Sequence, residues 1–391
     1  MKIDTRLAQR LLKINPSSTL AITSKAKKLK SSGKDIVNFA AGEPDFDTPD
    51  FIKEAAIAAI QSGFTKYTPT TGTADLKKLI CQKFKKDNLL EYSPEQVIVS
   101  CGAKHSVYNA LMVLAGLGDE VLIPLPYWVS YPEMANLCQA TPVFIETSAK
   151  NNFKITAKDL SRCITPRTKV LILNSPSNPA GSVYNKEELG AIAEVCVKKN
   201  IFVISDEIYE KIIFDGLKHE SIAAFGKDIY NLTITVNGLS KSHAMTGWRI
   251  GYLGAPADIA AAISNLQDHS TSNPNSIAQK AAEAALSAPD DFSLKLRQEF
   301  TRRRDYLASR IKKIKELDFC LPQGAFYMFC DISKTRLDSL TFATRLLEEE
   351  YVSLIPGKPF GLDNYIRISF ATSVEEIQKG MDRIEKWIKK I

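Results

Sequence analysis

Short apolar runs rich in β-branched residues recur along the chain, and stretches of helical periodicity separate them. The runs lie at residues 97–99, 121–123, 143–145, 170–173, 202–204 and 232–236. A continuous apolar run is typical of a strand buried on both faces, as in a mostly parallel sheet. We therefore predict an α/β fold in which helices flank a mostly parallel central sheet.

One helix shows its boundaries in the sequence. Thr48 is a candidate N-cap, Pro49 then takes the first helical position, and Gly63 lies just past the end. We expect the helix to lie between these signals.

The pattern changes at about residue 290. A long charged helix at about 294–315 leads into a segment with fewer apolar runs. We predict a large domain over residues 45–290. A smaller α+β domain is expected from residues 1–44, which include an N-terminal arm, and 291–391. A length of 391 residues suits two such domains.

Composition and charge narrow the possible partners. The chain is 45% hydrophobic and 24% charged, and its net charge is only +7, so an ordinary globular core is expected and a nucleic acid partner is not. The densest basic run, at residues 25–30, is typical of a solvated helix face. Residues 1–15 lack the apolar core of a signal peptide, and no run reaches membrane-spanning length, so no membrane partner is expected.

Cysteine and histidine usage indicates a reducing compartment and no metal site. The seven cysteines are odd in number, irregularly spaced and free of Cys-x-x-Cys pairs, which favours reduced thiols and a cytoplasmic location. The four histidines do not show metal-ligand spacing.

Candidate binding residues follow several of the predicted strands within about five positions. Asp206 follows 202–204, Asn178 follows 170–173, Gly102 follows 97–99 and Trp128 follows 121–123. Ligands bind at the carboxyl ends of parallel strands, so these side chains should share one edge of the sheet. Taken singly, each has a structural explanation as a helix cap, a turn or a core aromatic residue, but their convergence predicts a binding site.

Residues 238–251 contain the most informative motif. Lys241 stands among small residues after an apolar run, and Arg249 follows eight positions later. A lysine that forms a Schiff base needs open access for an aldehyde and a lowered pKa, and a nearby guanidinium can bind a phosphate. The alternative is a surface lysine in a loop of small residues.

This fourteen-residue segment resembles the lysine motif of class I aminotransferases, and the resemblance extends over about residues 15–390. Within that class it resembles the bacterial aspartate aminotransferase branch that includes aspartate/prephenate enzymes. The resemblance implies pyridoxal phosphate as cofactor, its fold type I, a ping-pong transfer of an amino group between amino acids and 2-oxo acids, and a homodimer with shared active sites.

The resemblance also assigns roles around the cofactor ring. Lys241 would form the Schiff base and then move the proton at the substrate Cα. Asp206 would pair with the pyridinium nitrogen. Asn178 and Tyr209 would hydrogen-bond to the ring phenolate oxygen, and Trp128 would stack on the ring.

A second group would bind the cofactor phosphate, through the helix start after residue 102. Its members are Gly102, Ala103, Lys104, Arg249, Ser240 and, reaching into the neighbouring subunit, Tyr67. This chain has Gly238 where many aspartate aminotransferases carry serine. Ser240 is the candidate to replace that hydroxyl. The alternative for Tyr67 is an ordinary loop tyrosine.

Substrate contacts follow in the same way. Arg367 lies in an apolar segment, and a buried arginine requires an anion partner; it resembles the arginine that binds the substrate α-carboxylate. Gly42 resembles the glycine whose backbone approaches that carboxylate. Trp128 and Asn178 would contact substrate as well as cofactor.

Two residues bear on specificity. Residues 267–274 contain no arginine to bind a second carboxylate, and Lys104 matches the lysine that serves this purpose in the resembling branch. Thr19 matches a threonine that accompanies this lysine in members accepting prephenate. We therefore expect transfer from L-aspartate to 2-oxoglutarate, with prephenate as a second substrate.

Two alternatives remain open. One is another reaction on the same fold, such as a different aminotransferase, a carbon–sulfur lyase or a cyclopropane-forming synthase. The other is a non-catalytic sensor that detects the cofactor or an amino acid, which would need room for a further domain before Gly42.

Overall fold

The computed structural model describes residues 8–14 and 18–391, without the side chains of Gln9 and residues 18–21. Its α-helices are α1 (Ser18–Ser31), α2 (Asp50–Gln61), α3 (Ala74–Asn88), α4 (Ala103–Leu114), α5 (Ser130–Leu137), α6 (Ala157–Cys163), α7 (Lys186–Lys199), α8 (Lys227–Tyr230), α9 (Ala257–Asp268), α10 (Ser276–Ser287), α11 (Asp291–Ile311), α12 (Ser339–Glu350) and α13 (Val374–Ile388). Short 3₁₀ helices lie at Gln9–Lys13, Pro94–Gln96, Ala149–Asn151, Ile222–Ala224, Ser333–Thr335 and Lys358–Phe360.

The strands form three sheets. They are β1 (Val37–Asn38), β2 (Val97–Ser100), β3 (Glu120–Pro124), β4 (Thr141–Ile145), β5 (Thr168–Asn174), β6 (Phe202–Asp206), β7 (Thr233–Gly238), β8 (Gly251–Gly254), β9 (Asp318–Phe319), β10 (Tyr327–Asp331), β11 (Val352–Ser353), β12 (Ile355–Pro356) and β13 (Tyr365–Ser369).

The central sheet has seven strands in the order β2-β8-β7-β6-β5-β3-β4. Only β8 runs antiparallel to its neighbours, while the other pairs are parallel. Successive residues of β5, Leu171 and Ile172, belong to apolar clusters on opposite faces, which explains the continuous apolar runs. The predicted fold class, a mostly parallel sheet flanked by helices, is confirmed.

Two strands of the central sheet differ from the predicted pattern. The edge strand β4 is only partly buried, and Phe144 in it is 41% exposed. The short β8, with a glycine at each end, carries no apolar run and was not predicted. The strand packs so closely against the start of α4 that a Cβ at Gly251 would overlap the backbone of Ala103.

The predicted cap of α2 is wrong. Pro49, not Thr48, holds the N-cap position, without a side-chain cap. The Thr48 hydroxyl instead donates to the carbonyl oxygen of Ala244 at 2.7 Å and accepts from Trp248 Nε1 at 3.0 Å. A tertiary contact with the segment after Lys241 therefore replaces the local one.

A four-stranded antiparallel sheet, in the order β12-β13-β10-β9, lies in the C-terminal part of the chain, and β1 pairs with β11. One apolar cluster combines side chains from residues 22–39 with others from 296–388. The N-terminal segment thus packs with the C-terminal one, although the division at residues 45 and 290 stays a prediction.

None of the helices in the described ranges is both long enough and apolar enough to cross a membrane.

Candidate active site

A cleft of about 490 Å³ lies at the carboxyl ends of β3, β5 and β6 and is closed by residues of β10 and β13. We call it the active-site cleft. The sequence-predicted residues that line it are Gly42, Ala103, Lys104, Trp128, Asn178, Asp206, Tyr209, Ser240, Lys241, Arg249 and Arg367. Parallel strands bring these distant positions together because their carboxyl ends share one edge.

Lys241 follows β7 by three residues and extends into the active-site cleft. Its Nζ donates to the carbonyl oxygen of Gly42 at 2.5 Å. Burial, together with the positive charges of Arg367 and Arg249, lowers the pKa of this amine to about 8, although Glu43 opposes the shift. An amine with this pKa is partly unprotonated near neutral pH and can act as a nucleophile or a base.

Asp206 ends β6 and is buried, with 5% of its surface exposed. The Tyr131 hydroxyl donates to its Oδ2 at 2.7 Å, and the backbone N–H of Ile208 donates to Oδ1 at 3.3 Å. Burial raises the pKa of this carboxyl to about 6 in spite of these donors. A cationic N–H at this position would restore a low pKa.

Arg367, on β13, is buried without a carboxylate partner in the described part of the chain. Its Nη1 donates to Asn178 Oδ1 at 3.0 Å and its Nη2 to the carbonyl oxygen of Ala40 at 3.1 Å, while Nε has no partner among the described residues. Burial lowers the pKa of the guanidinium. A buried cation held only by neutral oxygens is suited to bind a carboxylate from a ligand.

The amino end of α4 forms an anion-binding site. Gly102 is its N-cap, with φ of 88° and no side-chain cap, so the first N–H groups are available for a ligand. A Cβ at Gly102 would overlap the guanidinium of Arg249. Arg249 itself has a φ of 55°, which is uncommon for a residue other than glycine. Such strained backbone often occurs at functional sites, and here it accompanies a guanidinium that lies beside the amino end of α4.

Lys104 lies in the first turn of α4 with its Nζ 5.0 Å from the centre of the Trp128 ring. Burial and the charge of Arg249 lower its pKa. Lys104 is therefore a further cation of the active-site cleft besides Lys241, Arg249 and Arg367, and it lies on a different element from each of them.

Three sequence-predicted residues are not among the described residues that line the active-site cleft: Gly102, which is the N-cap of α4 beside it, Tyr67 and Thr19. Tyr67 is 93% exposed and lines no part of it. Thr19 lies in α1, but its side chain is outside the described residues. At Gly238, an added Cβ would lie 3.1 Å from Gly251 Cα, so close packing against β8 explains the glycine.

Sequence reasoning did not single out several residues that line the cleft, among them Tyr131, Thr246, Tyr327 and Phe360. Thr246 donates to the Glu43 carboxylate at 2.7 Å. Thr246 lies within the lysine motif at residues 238–251, so the sequence contained a signal for it. Tyr327 and Phe360 lie among apolar residues and resemble ordinary core aromatics in the sequence.

A buried charged cluster lies beneath β6. Ligand atoms of Glu207, Glu210 and His219 lie within 4.8 Å of one another, the spacing of a metal site. The Lys83 ammonium already pairs with Glu210, and the Asn88 amide donates to both glutamates at 2.8 Å. The arrangement is therefore explained as an ion-pair network.

The model of the family described as aminotransferase class I and II matches residues 34–384. The chain belongs to this aminotransferase family. It is 47% identical to an aspartate aminotransferase of Bacillus sp. (strain YM-2) over 388 residues, covering 98% of this chain and 99% of that protein. It is 45% identical to the aspartate/prephenate aminotransferase of Nitrosomonas europaea over 391 residues, covering 97% of this chain and 98% of that protein.

Solved structures agree with this assignment. The aminotransferase resembles the aspartate aminotransferase of Rhizobium meliloti with a TM-score of 0.95 at 39% identity, covering 99% of both chains. It also resembles the Thermus thermophilus aspartate aminotransferase with maleate, with a TM-score of 0.94 at 40% identity, covering 97% of this chain and 99% of that one.

Aminotransferases of this class use pyridoxal phosphate, and the residues of the active-site cleft fit it. Lys241 offers a reactive amine, and the buried Asp206 carboxyl suits a cationic ring nitrogen. The open end of α4, beside Arg249, suits a phosphate.

Replacement of Asp206 tests the cost of its burial. A carboxyl whose folded-state pKa is raised stabilises the fold at low pH and loses that contribution as pH rises through about 6. Asp206→Asn should therefore stabilise the cofactor-free protein at pH 8 by about 2–3 kcal/mol, and the gain should vanish near pH 4. Urea unfolding across this range measures it. The exposed Asp228→Asn should show no such trend, and a pH-independent difference for Asp206→Asn would contradict the assignment.

Proposed function

We propose that this aminotransferase transfers the amino group of L-aspartate to 2-oxoglutarate and also accepts prephenate. The observation that carries the proposal is the pair of cations in the active-site cleft, Arg367 and Lys104, without carboxylate partners of their own among the described residues. One cation suits the α-carboxylate and the other a distal carboxylate. Relatives that carry both activities in their names, and the Thermus thermophilus structure with maleate, a dicarboxylate, support this choice.

Lys241 is the proposed base and acid of the reaction. When bound, pyridoxal phosphate supplies an electron sink for the negative charge that forms on the substrate Cα. The Lys241 amine, with a pKa of about 8, takes the proton from Cα and returns it on the cofactor side. Arg367 fixes the α-carboxylate, so that Cα faces this amine.

The remaining residues hold the cofactor in the proposed arrangement. Asp206 would pair with the ring nitrogen, and the Tyr131 hydroxyl donates to its carboxylate at 2.7 Å. Asn178 and Tyr209 would hydrogen-bond to the ring oxygen, and Trp128 would stack on the ring. Arg249, Ser240 and the amides of Ala103 and Lys104 would bind the phosphate. The carbonyl of Gly42 lies beside Lys241, close to where the substrate carboxylate would bind.

The amino-transfer half-reaction tests the function directly. L-Aspartate added to the cofactor-loaded protein without an oxo acid should convert the visible cofactor band to the near-ultraviolet amino form, with one oxaloacetate released per site. Addition of 2-oxoglutarate or prephenate should restore the band. Lys241→Ala should show no conversion. An unchanged band in the unmodified protein would refute aspartate as donor.

Lys104→Met tests specificity. The variant keeps an unbranched side chain beside Trp128 but removes the charge. We expect kcat/KM for aspartate to fall about 10- to 100-fold, the value of a charge-assisted hydrogen bond, while kcat/KM for alanine changes less than about threefold. The exposed Lys227→Met is the matched control. Equal losses for both substrates would remove Lys104 from the specificity argument.

We also propose a homodimer with shared sites, in which Tyr67 reaches the partner's phosphate. Its 93% exposure is costly for an unpaired aromatic side chain, and Phe51, Ile57 and Ile60 on α2 are likewise exposed.

We propose a cytoplasmic location because the seven cysteines are unpaired, and cell fractionation would test it.

Subunit mixing tests the shared site. Lys241→Ala and Tyr67→Ala should each be impaired alone, because each changes both sites of its homodimer. In a mixed dimer, one site regains both residues, so random exchange should restore about a quarter of the unmodified activity. Sedimentation should give twice the mass of one chain. A monomer, or mixing without recovery, would contradict shared sites.

A further inference from the structure

Tyr327 connects three groups of the active-site cleft, although it has no role in the function proposed above. It is the first residue of β10 and only 1% exposed. Its hydroxyl lies 2.9 Å from the Tyr209 hydroxyl, and its ring centre lies 4.2 Å from the guanidinium carbon of Arg367. A Cβ at Gly42 would lie 3.7 Å from the same hydroxyl.

The ring of Tyr327 explains how Arg367 is held without a carboxylate. A guanidinium over an aromatic face is stabilised by the negative face of the ring. The contact uses none of the N–H donors: Nη1 donates to Asn178, Nη2 donates to Ala40, and Nε has no partner among the described residues. Phe360 lies 5.3 Å from the guanidinium and adds a second ring. A carboxylate partner in this place would compete with the substrate.

The hydroxyl of Tyr327 fixes the direction of the Tyr209 proton. Burial raises the pKa of both phenols, so both stay protonated. Each hydroxyl has one proton to donate. Once Tyr209 donates to the ring oxygen of the cofactor, as the proposed function has it, Tyr327 must donate to Tyr209.

The same hydrogen bond joins two parts of the fold. Tyr209 follows β6 of the seven-stranded sheet, while Tyr327 belongs to the four-stranded sheet. A single side chain therefore contacts both the residue proposed to bind the cofactor oxygen and the residue proposed to bind the substrate carboxylate.

We propose that Tyr327 is a positioning residue for the transamination: its ring holds Arg367 ready for the substrate carboxylate, and its hydroxyl orients Tyr209 toward the cofactor. The inference rests on the proposed function and adds a residue to it.

Two variants separate the two contributions. Tyr327→Phe keeps the ring and removes the hydroxyl. Tyr209 then becomes a weaker hydrogen-bond donor to the ring oxygen. Because the ring oxygen is less stabilised, it holds the proton that it shares with the Lys241 nitrogen more tightly. The pH midpoint of the visible cofactor band should therefore rise by about half a unit to one unit. Affinity for maleate, a non-reacting dicarboxylate, should change less than about twofold. The charged groups facing Lys241 are Glu43, Asp206, Arg249 and Arg367, and neither variant alters them.

Tyr327→Leu removes the ring as well. Maleate affinity, read from the spectral change on binding, should fall about tenfold, the value of a desolvated cation–π contact. Tyr92→Phe is the matched control. Tyr92 is a buried tyrosine whose hydroxyl lies 3.0 Å from the Thr235 hydroxyl, and it does not line the active-site cleft. It should leave both the band midpoint and maleate affinity unchanged. If Tyr327→Leu does not fold, the band midpoint of Tyr327→Phe decides.

The outcomes distinguish this inference from the proposed function. A midpoint that does not move in Tyr327→Phe overturns the inference, and so does a midpoint that moves equally in Tyr92→Phe, even if the unmodified protein converts aspartate. A shifted midpoint in a protein that fails to convert aspartate refutes the donor and leaves the positioning role of Tyr327 standing. A protein without a visible cofactor band overturns both.

Discussion

The structure depends on one costly burial, that of the Arg367 guanidinium. Removing an isolated charge from water costs several kcal/mol, and no carboxylate in the described part of the chain offsets it. The compensation is spread over the Asn178 side chain, the Ala40 carbonyl and the Tyr327 ring. Because these partners are neutral, a ligand carboxylate meets a cation with no internal ion pair to break, which is the advantage of a preorganised site.

The sheet topology explains why the remaining groups collect at the same place. The strands β3, β5 and β6 end at one edge, and the reversed β8 begins there instead of ending there. Arg249 can therefore precede a strand and still lie beside the amino end of α4. Because β8 is antiparallel, the residues that precede it, including Arg249, lie at the same edge of the sheet as the residues that follow the parallel strands.

Sequence patterns predicted this framework because they are local. Continuous apolar runs marked the buried strands, and the residues that follow them share an edge for geometric reasons, so Asp206 and Asn178 could be brought together without coordinates. The lysine motif then required the family resemblance. Patterns failed where partners are distant in the chain: Thr48 bonds to Ala244 rather than to its own helix, and β8 lacks an apolar run.

Tyr327 shows the same limit at the site itself. It stands in the run 325–330, where every neighbour is an ordinary core residue, and nothing local separates its hydroxyl from that of a tyrosine in any buried strand. Its role comes from two distant residues: Arg367, on β13 of the same sheet, and Tyr209, which follows β6 of the seven-stranded sheet.

The bond between Arg367 and Ala40 spans 327 positions of the sequence, and the bond from Lys241 to Gly42 spans 199. Contacts of such separation form late, because the long intervening loop must be closed first. A nascent chain emerging from the ribosome can therefore complete much of its central sheet while it still lacks the Arg367 site for the α-carboxylate. That site is complete only when β13 is added, so binding of the α-carboxylate depends on contact between the two ends of the chain.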